Sequence, residues 1–271
     1  MSQAHSSRRV EGHQARKRFG QNFLNDDRVI SQIIASFQPQ PGQNVVEIGP
    51  GLGALTKQLL PAVKRLQVVE LDRDLAARLP KTLAGMGELI IHEGDALKFD
   101  FTQLVSADEG LRIIGNLPYN ISTPLIFHLL SSSGQVQDMH FMLQKEVVDR
   151  LCAEPGSSDY GRLSVMVQYH CLAEWLFDVP PEAFSPPPKV TSAIVRLTPY
   201  ATPPHPCRDP RLLSEVVTQA FGMRRKTLRN ALARYPADVL SNTGVNLSSR
   251  PETLSVADYV AITNAILDAA P

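Results

Sequence analysis

Cysteine is scarce in this sequence, and long hydrophobic segments are absent from its 271 residues. Cys152, Cys171 and Cys207 are far apart and show no Cys-x-x-Cys or Cys/His spacing, so we expect neither a disulfide framework nor a zinc site. The seven histidines lack metal-ligand spacing as well, so no metal is expected. Because the sequence contains no run of about eighteen apolar residues and no signal-peptide core, we expect no membrane contact and a cytoplasmic, reducing location.

The net charge of the sequence is zero, although its charged residues are unevenly distributed. The sequence holds 27 basic and 27 acidic residues. Residues 8–18 contain five basic residues against one acid, and residues 224–234 contain five with no acid, so the rest of the chain is acidic. Concentrated cations on an acidic body predict that a phosphate-rich partner binds at defined places. The alternative is that each window is only a solvated face.

Apolar residues make up 43% of the chain, which is enough for one large core and a small second domain. Strand-like and helix-like segments alternate over the first two hundred residues or so. The strand candidates are residues 44–48, 66–71, 88–92, 111–114, 139–143 and 193–197. The helix candidates are residues 52–60, 75–84, 123–131 and 145–153. This alternation predicts an α/β fold with a mostly parallel sheet, which binds ligands at the carboxyl ends of its strands.

A proline-rich stretch from Pro199 to Pro210 interrupts this pattern and predicts a linker. The remainder is predicted to be helical, and Ser255 with Asp258 forms a capping-box pattern ahead of the last helix. We therefore expect two domains, residues 1–200 and residues 205–271.

The stretch VVEIGPGLGALT, residues 45–56, places glycines between a strand and a helix. Gly49, Gly51 and Gly53 let the backbone approach a ligand closely, and the start of the helix offers N–H groups. The spacing, G-x-G-x-G after Glu47, differs from the G-x-G-x-x-G that favours a pyrophosphate. It predicts a cofactor-binding turn, and a generic strand-to-helix turn is the alternative.

Two acids follow the next strands of the predicted sheet. Glu70 closes the second strand, where a carboxylate in such folds accepts hydrogen bonds from both hydroxyls of a ribose. Asp95 follows the third strand, where it is placed to receive an adenine amine. Each acid alone is also typical of a solvated strand end, but together with the glycine turn they predict a nucleoside pocket.

The stretch GNLPYNIS, residues 115–122, follows the fourth strand and faces the same crevice. An adenine amine is a poor nucleophile because its lone pair is delocalised into the ring. The side-chain carbonyl of Asn116 and the backbone carbonyl of Leu117, held extended by Pro118, are acceptors for its two N–H groups. Tyr119 offers a face for base stacking. The sequence predicts catalysis by acceptor alignment without a general base. The alternative is a type I or II turn with proline at its second position.

These motifs resemble, in order, those of S-adenosylmethionine-dependent methyltransferases, and more closely those of the ribosomal RNA adenine dimethyltransferases. Three further segments carry the resemblance: RKRFGQNFL at residues 16–24, FSPPPKVTSAIVRL at residues 184–197 and FGMRRKTLRNAL at residues 221–232. Nearly the whole chain is covered. The resemblance implies a Rossmann-like class I methyltransferase sheet of seven strands, mostly parallel with the last strand reversed, and a small C-terminal all-helical domain.

The resemblance also implies a reaction. The small-subunit branch of this family uses S-adenosylmethionine to dimethylate two adjacent adenosines in a hairpin loop near the 3′ end of small-subunit (16S) ribosomal RNA. We therefore expect S-adenosylmethionine as cofactor and small-subunit ribosomal RNA, within a pre-30S particle, as partner of a monomeric enzyme. The resemblance assigns the target amine to residues 116–119. It assigns cofactor binding to Asn22, Leu24, Gly49, Gly51, Glu70, Asp95 and Asn116.

Phe184 is the remaining catalytic candidate. Five prolines, at positions 180, 181, 186, 187 and 188, stiffen the chain on both sides of it, so its ring can be held out in a fixed direction. We expect this ring to stack on the target base opposite Tyr119, and we expect Lys189 to contact a phosphate. The alternative is that Phe184 anchors the loop in the core.

The second basic window predicts an RNA-binding surface through phosphate contacts. Its candidate residues are Arg224, Arg225, Lys226 and Arg229.

Several other functions stay open. A dimethyltransferase of antibiotic-resistance type, acting on large-subunit RNA, shares the catalytic motifs, but the helical tail with RRKTLRNAL favours the small subunit. A DNA adenine or protein glutamine methyltransferase shares the N-x-P-Y turn, but no separate target-recognition domain of a DNA enzyme is evident. The alternative from another functional class is an RNA-binding assembly factor whose catalysis is incidental. The presence of Glu70, Asp95 and Asn116 favours an active enzyme over this alternative.

Overall fold

The computed structural model describes residues 9–10, 13–14, 22–105, 110–131, 135–223 and 226–269. These residues form two compact units. The described residues within Met1–Val148 and Glu174–Pro199 form the first unit, and those within Asp149–Ala173 and Tyr200–Pro271 form the second. The second unit therefore includes residues 149–173, which the sequence-based division into 1–200 and 205–271 places in the first domain.

A seven-stranded sheet is the scaffold of the fold. Its strands, numbered in chain order, are β1 Val45–Ile48, β2 Arg65–Glu70, β3 Glu88–Glu93, β4 Leu111–Asn116, β5 Val136–Gln144, β6 Cys171–Val179 and β7 Ser192–Pro199. Their order across the sheet is β3-β2-β1-β4-β5-β7-β6. Strands β1 to β5 pair in parallel, and β7 runs antiparallel to β5. The seven strands and the reversed last strand confirm the predicted fold class.

The register of the central strands brings their carboxyl ends to one edge. All four residues of β1, VVEI, are buried, as a parallel strand covered on both faces requires. Glu47 of β1 lies opposite Val68 of β2 and Ile114 of β4. The turns that follow these strands therefore meet at the same edge of the sheet, where ligands of such folds bind.

Helices alternate with these strands. They are α1 Asp27–Phe37, α2 Thr56–Val63, α3 Arg73–Thr82, α4 Ser122–Leu130 and α5 Lys145–Cys152. The four helices predicted from residue 52 onward are present within a few residues of their expected bounds. α2 begins at Thr56, four residues later than predicted, because the glycine turn continues through residues 51–55.

Among the strands of the seven-stranded sheet and the helices of eight or more residues, the sequence did not predict α1, β6 and a helix α6 at Arg162–His170. β6 is the edge strand next to β7, and two of its large apolar side chains, Leu172 and Trp175, are exposed. Such a strand shows neither the alternation of a half-buried strand nor the continuous run of a buried one.

The second unit is helical. Besides α6 it contains α7 Pro210–Phe221, α8 Leu228–Ala231, α9 Ala237–Ser241 and α10 Val256–Asp268. The predicted capping box of α10 is confirmed, because Asp258 N–H donates to Ser255 Oγ at 3.2 Å and Ser255 N–H donates to Asp258 Oδ2 at 2.8 Å. The rings of Phe221 and Tyr259 pack in its core, with centroids 5.9 Å apart. Within the described ranges, no helix has the length and apolar character needed to cross a membrane.

Candidate active site

A cavity of about 360 Å³ opens at the carboxyl edge of the sheet, a volume in the range of small-molecule sites. Its lining comes from the residues that follow β1, β2, β3 and β4, together with the N-terminal segment 22–24. Every predicted cofactor residue lines it: Asn22, Leu24, Gly49, Gly51, Glu70, Asp95 and Asn116. The predicted catalytic residues Leu117, Pro118 and Tyr119 line it too.

The glycine turn forms one wall of this cavity. Gly49 and Gly51 have φ values of 67° and 59°, a left-handed conformation that other residues rarely adopt. A Cβ on Gly51 would also contact the ring of Phe23, at 3.4 Å. The turn therefore presents backbone rather than side chains to the cavity.

Glu70 ties the glycine turn to the end of β2. Its Oε2 accepts a 3.1 Å hydrogen bond from the N–H of Gly51, and its Oε1 accepts a 2.7 Å hydrogen bond from the N–H of Asp72. Burial raises the pKa of Glu70, and these backbone N–H groups act against that rise. The carboxyl group also lines the cavity, where it can accept hydrogen bonds from hydroxyl groups.

Glu47 is a second buried carboxyl in the cavity wall that sequence reasoning did not assign to the site. It is 2% exposed, and its Oε2 accepts a 2.7 Å hydrogen bond from the hydroxyl of Thr56 at the start of α2. Burial raises the pKa of Glu47 to about 8. The sequence feature that could have identified Glu47 as a site residue is the presence of an acid within the otherwise apolar strand VVEI.

Asp95 follows β3. Because β3 and β1 flank β2 in the sheet, Asp95 and the glycine turn lie on opposite sides of the end of β2. Its Oδ1 accepts a 3.0 Å hydrogen bond from the N–H of Leu97, which holds the carboxylate in a tight turn. The half-buried side chain lines the cavity with its neighbours Gly94 and Ala96. Its remaining lone pairs suit an amine donor.

The GNLPYNIS turn begins where β4 passes very close to β1. A Cβ on Gly115 would lie 2.6 Å from the backbone carbonyl oxygen of Ile48, so only glycine allows this approach. The next residue, Asn116, donates from Nδ2 to the backbone carbonyl of Asn22 at 3.1 Å. Because a backbone carbonyl can only accept, the nitrogen of the Asn116 carboxamide must face Asn22. The oxygen of the carboxamide therefore points away from Asn22.

The residues after Asn116 are anchored by backbone and side-chain bonds. Leu117 buries its side chain and donates its N–H to the carbonyl of Met142 at 3.3 Å. Ile121 N–H donates to the carbonyl of Pro118 at 3.1 Å, which closes a turn. The Tyr119 hydroxyl lies 2.7 Å from Ser192 Oγ. Pro118 is the first residue of this turn and not the second, as the alternative of a type I or II turn requires, and the turn forms part of the cavity wall.

Phe184 does not lie where the sequence predicts it. Its side chain is 3% exposed and belongs to the same buried apolar cluster as Leu24. Residues Phe184–Ser185 pair antiparallel with Phe23–Leu24, and Asn25 N–H donates to the carbonyl of Ala183 at 2.9 Å. The ring is therefore not held out from the loop as expected, and its burial favours the alternative of a core anchor that fixes segment 23–24 at the cavity. Stacking of this ring on a base stays a prediction.

Of the four predicted RNA-binding residues, Arg224 and Arg225 lie outside the described residues. Lys226 and Arg229 are exposed at the start of the short helix α8. The N–H of Arg229 donates to the carbonyl of Leu247 at 3.0 Å, so its backbone is held while its side chain faces solvent. Lys189 is exposed as well.

Known proteins resemble this chain over most of its length. Residues 12–268 match the family model described as ribosomal RNA adenine dimethylase. The chain is 57% identical, over 255 residues, to Ribosomal RNA small subunit methyltransferase A of Acinetobacter baylyi, a match that covers 94% of this chain and 93% of that protein.

Solved structures agree with the architecture. A dimethyladenosine transferase from Plasmodium falciparum matches with a TM-score of 0.75 and 27% identity, over 89% of this chain and 95% of that chain. The 23S rRNA methyltransferase ErmE matches with a TM-score of 0.72 and 24% identity, over 90% of this chain and 99% of that one. The second match shows a shared fold alone.

Proposed function

The chain belongs to the ribosomal RNA adenine dimethylase family, and from this premise we propose that it dimethylates the N6 amines of two adjacent adenosines in a hairpin loop near the 3′ end of small-subunit ribosomal RNA. The relative at 57% identity is named for the small subunit, which supports this substrate over large-subunit RNA.

The enzyme uses S-adenosylmethionine, and the cavity residues fit this cofactor. When bound, the cofactor supplies a methyl group carried on a positively charged sulfonium sulfur. Glu70 would hold the two ribose hydroxyls and Asp95 the adenine amine, and both carboxyl groups line the cavity. Gly49 and Gly51 let the backbone pass close to the cofactor. Two further contacts, to its methionine end or its ribose, are assigned to Asn22 and Leu24.

The target adenine amine is held by acceptors. Oδ1 of Asn116 and the carbonyl of Leu117 receive its two N–H groups, which favours a tetrahedral nitrogen with an available lone pair. Tyr119 stacks on the base and limits its orientation. The chain needs no general base, because the amine becomes strongly acidic once it carries an additional methyl group, and its proton then leaves to water.

The geometry of Asn116 is the observation that carries this proposal. Its nitrogen is bound to the Asn22 carbonyl at 3.1 Å, and among the described residues no donor is bonded to its Oδ1. An oriented acceptor in the cavity wall, next to the carbonyl of Leu117, is what alignment of an amine requires.

The RNA is positioned by cations outside this cavity. We propose that Arg224, Arg225, Lys226 and Arg229 contact backbone phosphates, which fix the register of the hairpin without reading its sequence. A loop adenosine is already unpaired, so its extrusion into a pocket costs less than that of a paired base. The body of the chain is acidic, so RNA is expected to bind at these cations rather than over the whole surface.

The test is methyl transfer from labelled S-adenosylmethionine to unmethylated small subunits, with large subunits and duplex DNA as controls. We expect two methyl groups on each of two adjacent adenosines, and none on either control. Labelling of large subunits instead would overturn the choice of substrate. The same assay with free RNA and with pre-30S particles tests the proposed partner, and sedimentation of the active species tests the proposed monomer.

A second experiment separates catalysis from assembly. We propose that the enzyme acts in the cytoplasm while small subunits assemble, and that catalysis is its main role there. Asn116→Ala should bind subunits with the affinity of the unaltered enzyme while transferring no methyl group. If this variant supports subunit assembly fully in cells that lack the native enzyme, the assembly role dominates and catalysis is incidental.

A further inference from the structure

The hydroxyl of Tyr119 lies 2.7 Å from the hydroxyl of Ser192, which follows 73 residues later in the chain. Tyr119 is half-buried and lines the cavity, whereas Ser192 is 0% exposed. Burial raises the pKa of Tyr119, so its hydroxyl stays protonated at neutral pH and is available as a donor. The two residues belong to motifs that the sequence analysis treated separately.

Ser192 is held on a rigid part of the fold. It opens β7 and pairs with Gln144 of β5 in the antiparallel register of these strands. Next to it, the N–H of Lys145 donates to the carbonyl of Thr191 at 2.9 Å. A side chain on a paired strand is placed more accurately than one on a loop. The Ser192 hydroxyl is therefore a fixed point for a partner.

Tyr119 is consequently held at both ends. Its backbone carbonyl accepts a 3.1 Å hydrogen bond from Oγ of the buried Ser122, and its phenol oxygen is bound to Ser192. A tyrosine side chain turns about two bonds. Because its hydroxyl oxygen lies on the axis of the second, the bond to Ser192 fixes the direction in which the ring points from the backbone. A ring whose direction is set before the base arrives loses less entropy on binding.

We propose that Ser192 is a positioning residue, which fixes the direction of the Tyr119 ring so that the ring lies where the target adenine stacks for methyl transfer. This inference rests on the proposed function, because it concerns the same base. It assigns a role in the reaction to Ser192, the last residue of the PPPKVTS stretch at residues 186–192. Loss of the hydroxyl leaves the cofactor residues untouched, so it should slow transfer without weakening cofactor binding.

The experiment removes the hydrogen bond from each side. Ser192→Ala, Tyr119→Phe and the double variant are compared in single-turnover methyl transfer to small subunits, and cofactor affinity is measured by calorimetry. We expect each single change to slow transfer about threefold to tenfold, as the loss of one hydrogen bond predicts, and to leave the cofactor Kd unchanged within twofold or so. The double variant should be no slower than Tyr119→Phe, and Ser192→Thr should restore the rate because it restores the hydroxyl.

A second measurement reports stacking directly. An RNA hairpin with 2-aminopurine at the target position should lose fluorescence when the base stacks on Tyr119, and Ser192→Ala should recover part of that fluorescence. Ser164→Ala, which removes another fully buried hydroxyl, is the matched control and should alter neither readout. If Ser192→Ala fails to fold, Tyr119→Phe tests the same bond without altering the buried strand.

The outcomes separate this inference from the function on which it rests. If the unaltered enzyme methylates no small subunits, the proposed function fails. If it does methylate them and Ser192→Ala retains the full rate and full quenching, the positioning role is wrong. Additive losses in the double variant would also overturn it, because two residues that act through one bond cannot add.

Discussion

The side-chain nitrogen of Asn116 donates a 3.1 Å hydrogen bond to the backbone carbonyl of Asn22, which lies 94 residues earlier in the chain. Asn22 directly precedes segment 23–24, which pairs with Phe184–Ser185. The orientation of the acceptor in the cavity therefore depends on a segment from the N-terminal part of the chain, and that segment is fixed in turn by residues nearly at the end of the first unit.

Asn116→Asp tests this orientation. The substitution keeps the shape and supplies oxygens, but a carboxylate cannot donate to the Asn22 carbonyl, and the two oxygens repel. We expect the side chain to turn away and the rate of methyl transfer at saturating cofactor to fall about 10²- to 10³-fold. Asn242→Asp adds the same charge at an exposed position of the second unit and should transfer at the normal rate. An equal loss in both variants would attribute the effect to net charge.

Phe184→Ala distinguishes a core anchor from a base-stacking role for the aromatic ring. A buried ring that packs with Leu24 should cost about 3 to 5 kcal/mol of unfolding free energy when it is removed, and the loosened segment 23–24 should raise the cofactor Kd. Urea unfolding and calorimetry measure the two effects. The control Trp175→Ala removes a 51% exposed ring and should cost about 1 kcal/mol or less. A stable Phe184→Ala protein with normal cofactor affinity and slow methyl transfer would favour base stacking by Phe184 over the core-anchor role.

The location of the cofactor residues could be predicted from sequence because their placement follows from local rules. Gly51, Glu70, Asp95 and Asn116 each follow a recognisable strand, and the carboxyl ends of parallel strands meet at one edge. No knowledge of side-chain packing was needed to bring them together in one cavity. Their roles in binding and catalysis stay predictions.

Other features depend on non-local packing that a linear pattern does not contain. An aromatic residue beside prolines can be exposed or buried. For Phe184, only the pairing with Leu24 shows that the ring is buried. The contact between Tyr119 and Ser192 joins two motifs 73 residues apart. Both depend on how the proline-rich loop packs, which neither periodicity nor motif spacing describes.

The second basic window, residues 224–234, predicts how RNA affinity depends on salt concentration. If Lys226 and Arg229 contact phosphates, each releases counterions on binding, and the slope of log Kd against log salt concentration should become shallower by about 0.7 to 0.9 for each residue neutralised. Lys226→Gln/Arg229→Gln should show this change in titrations of an RNA hairpin at several concentrations of potassium chloride. Arg65→Gln removes another exposed cation, which lies 3.6 Å from Glu88, and should keep the normal slope. An unchanged slope in the double variant would remove both residues from the interface.

Glu47 makes stability depend on pH in a defined direction. Burial raises the pKa of Glu47 from 4.5 to about 8, so between these values the folded protein holds a proton that the unfolded chain has released. The unfolded state binds fewer protons there, and the free energy of unfolding therefore falls as pH rises, by up to about 1.4 kcal/mol for each pH unit. Above the raised pKa the loss is complete.

Glu47→Gln should remove this dependence, because glutamine stays neutral and still accepts the hydrogen bond from Thr56. We expect the stability of the variant relative to the unaltered protein to increase by an amount on the order of 3 kcal/mol between pH 5 and pH 8, measured by urea unfolding. The raised pKa of Glu70 is present in both proteins and largely cancels in the comparison. If the difference for Glu47→Gln is flat over this range, the carboxyl is ionised in the folded protein and the cavity wall carries a second negative charge.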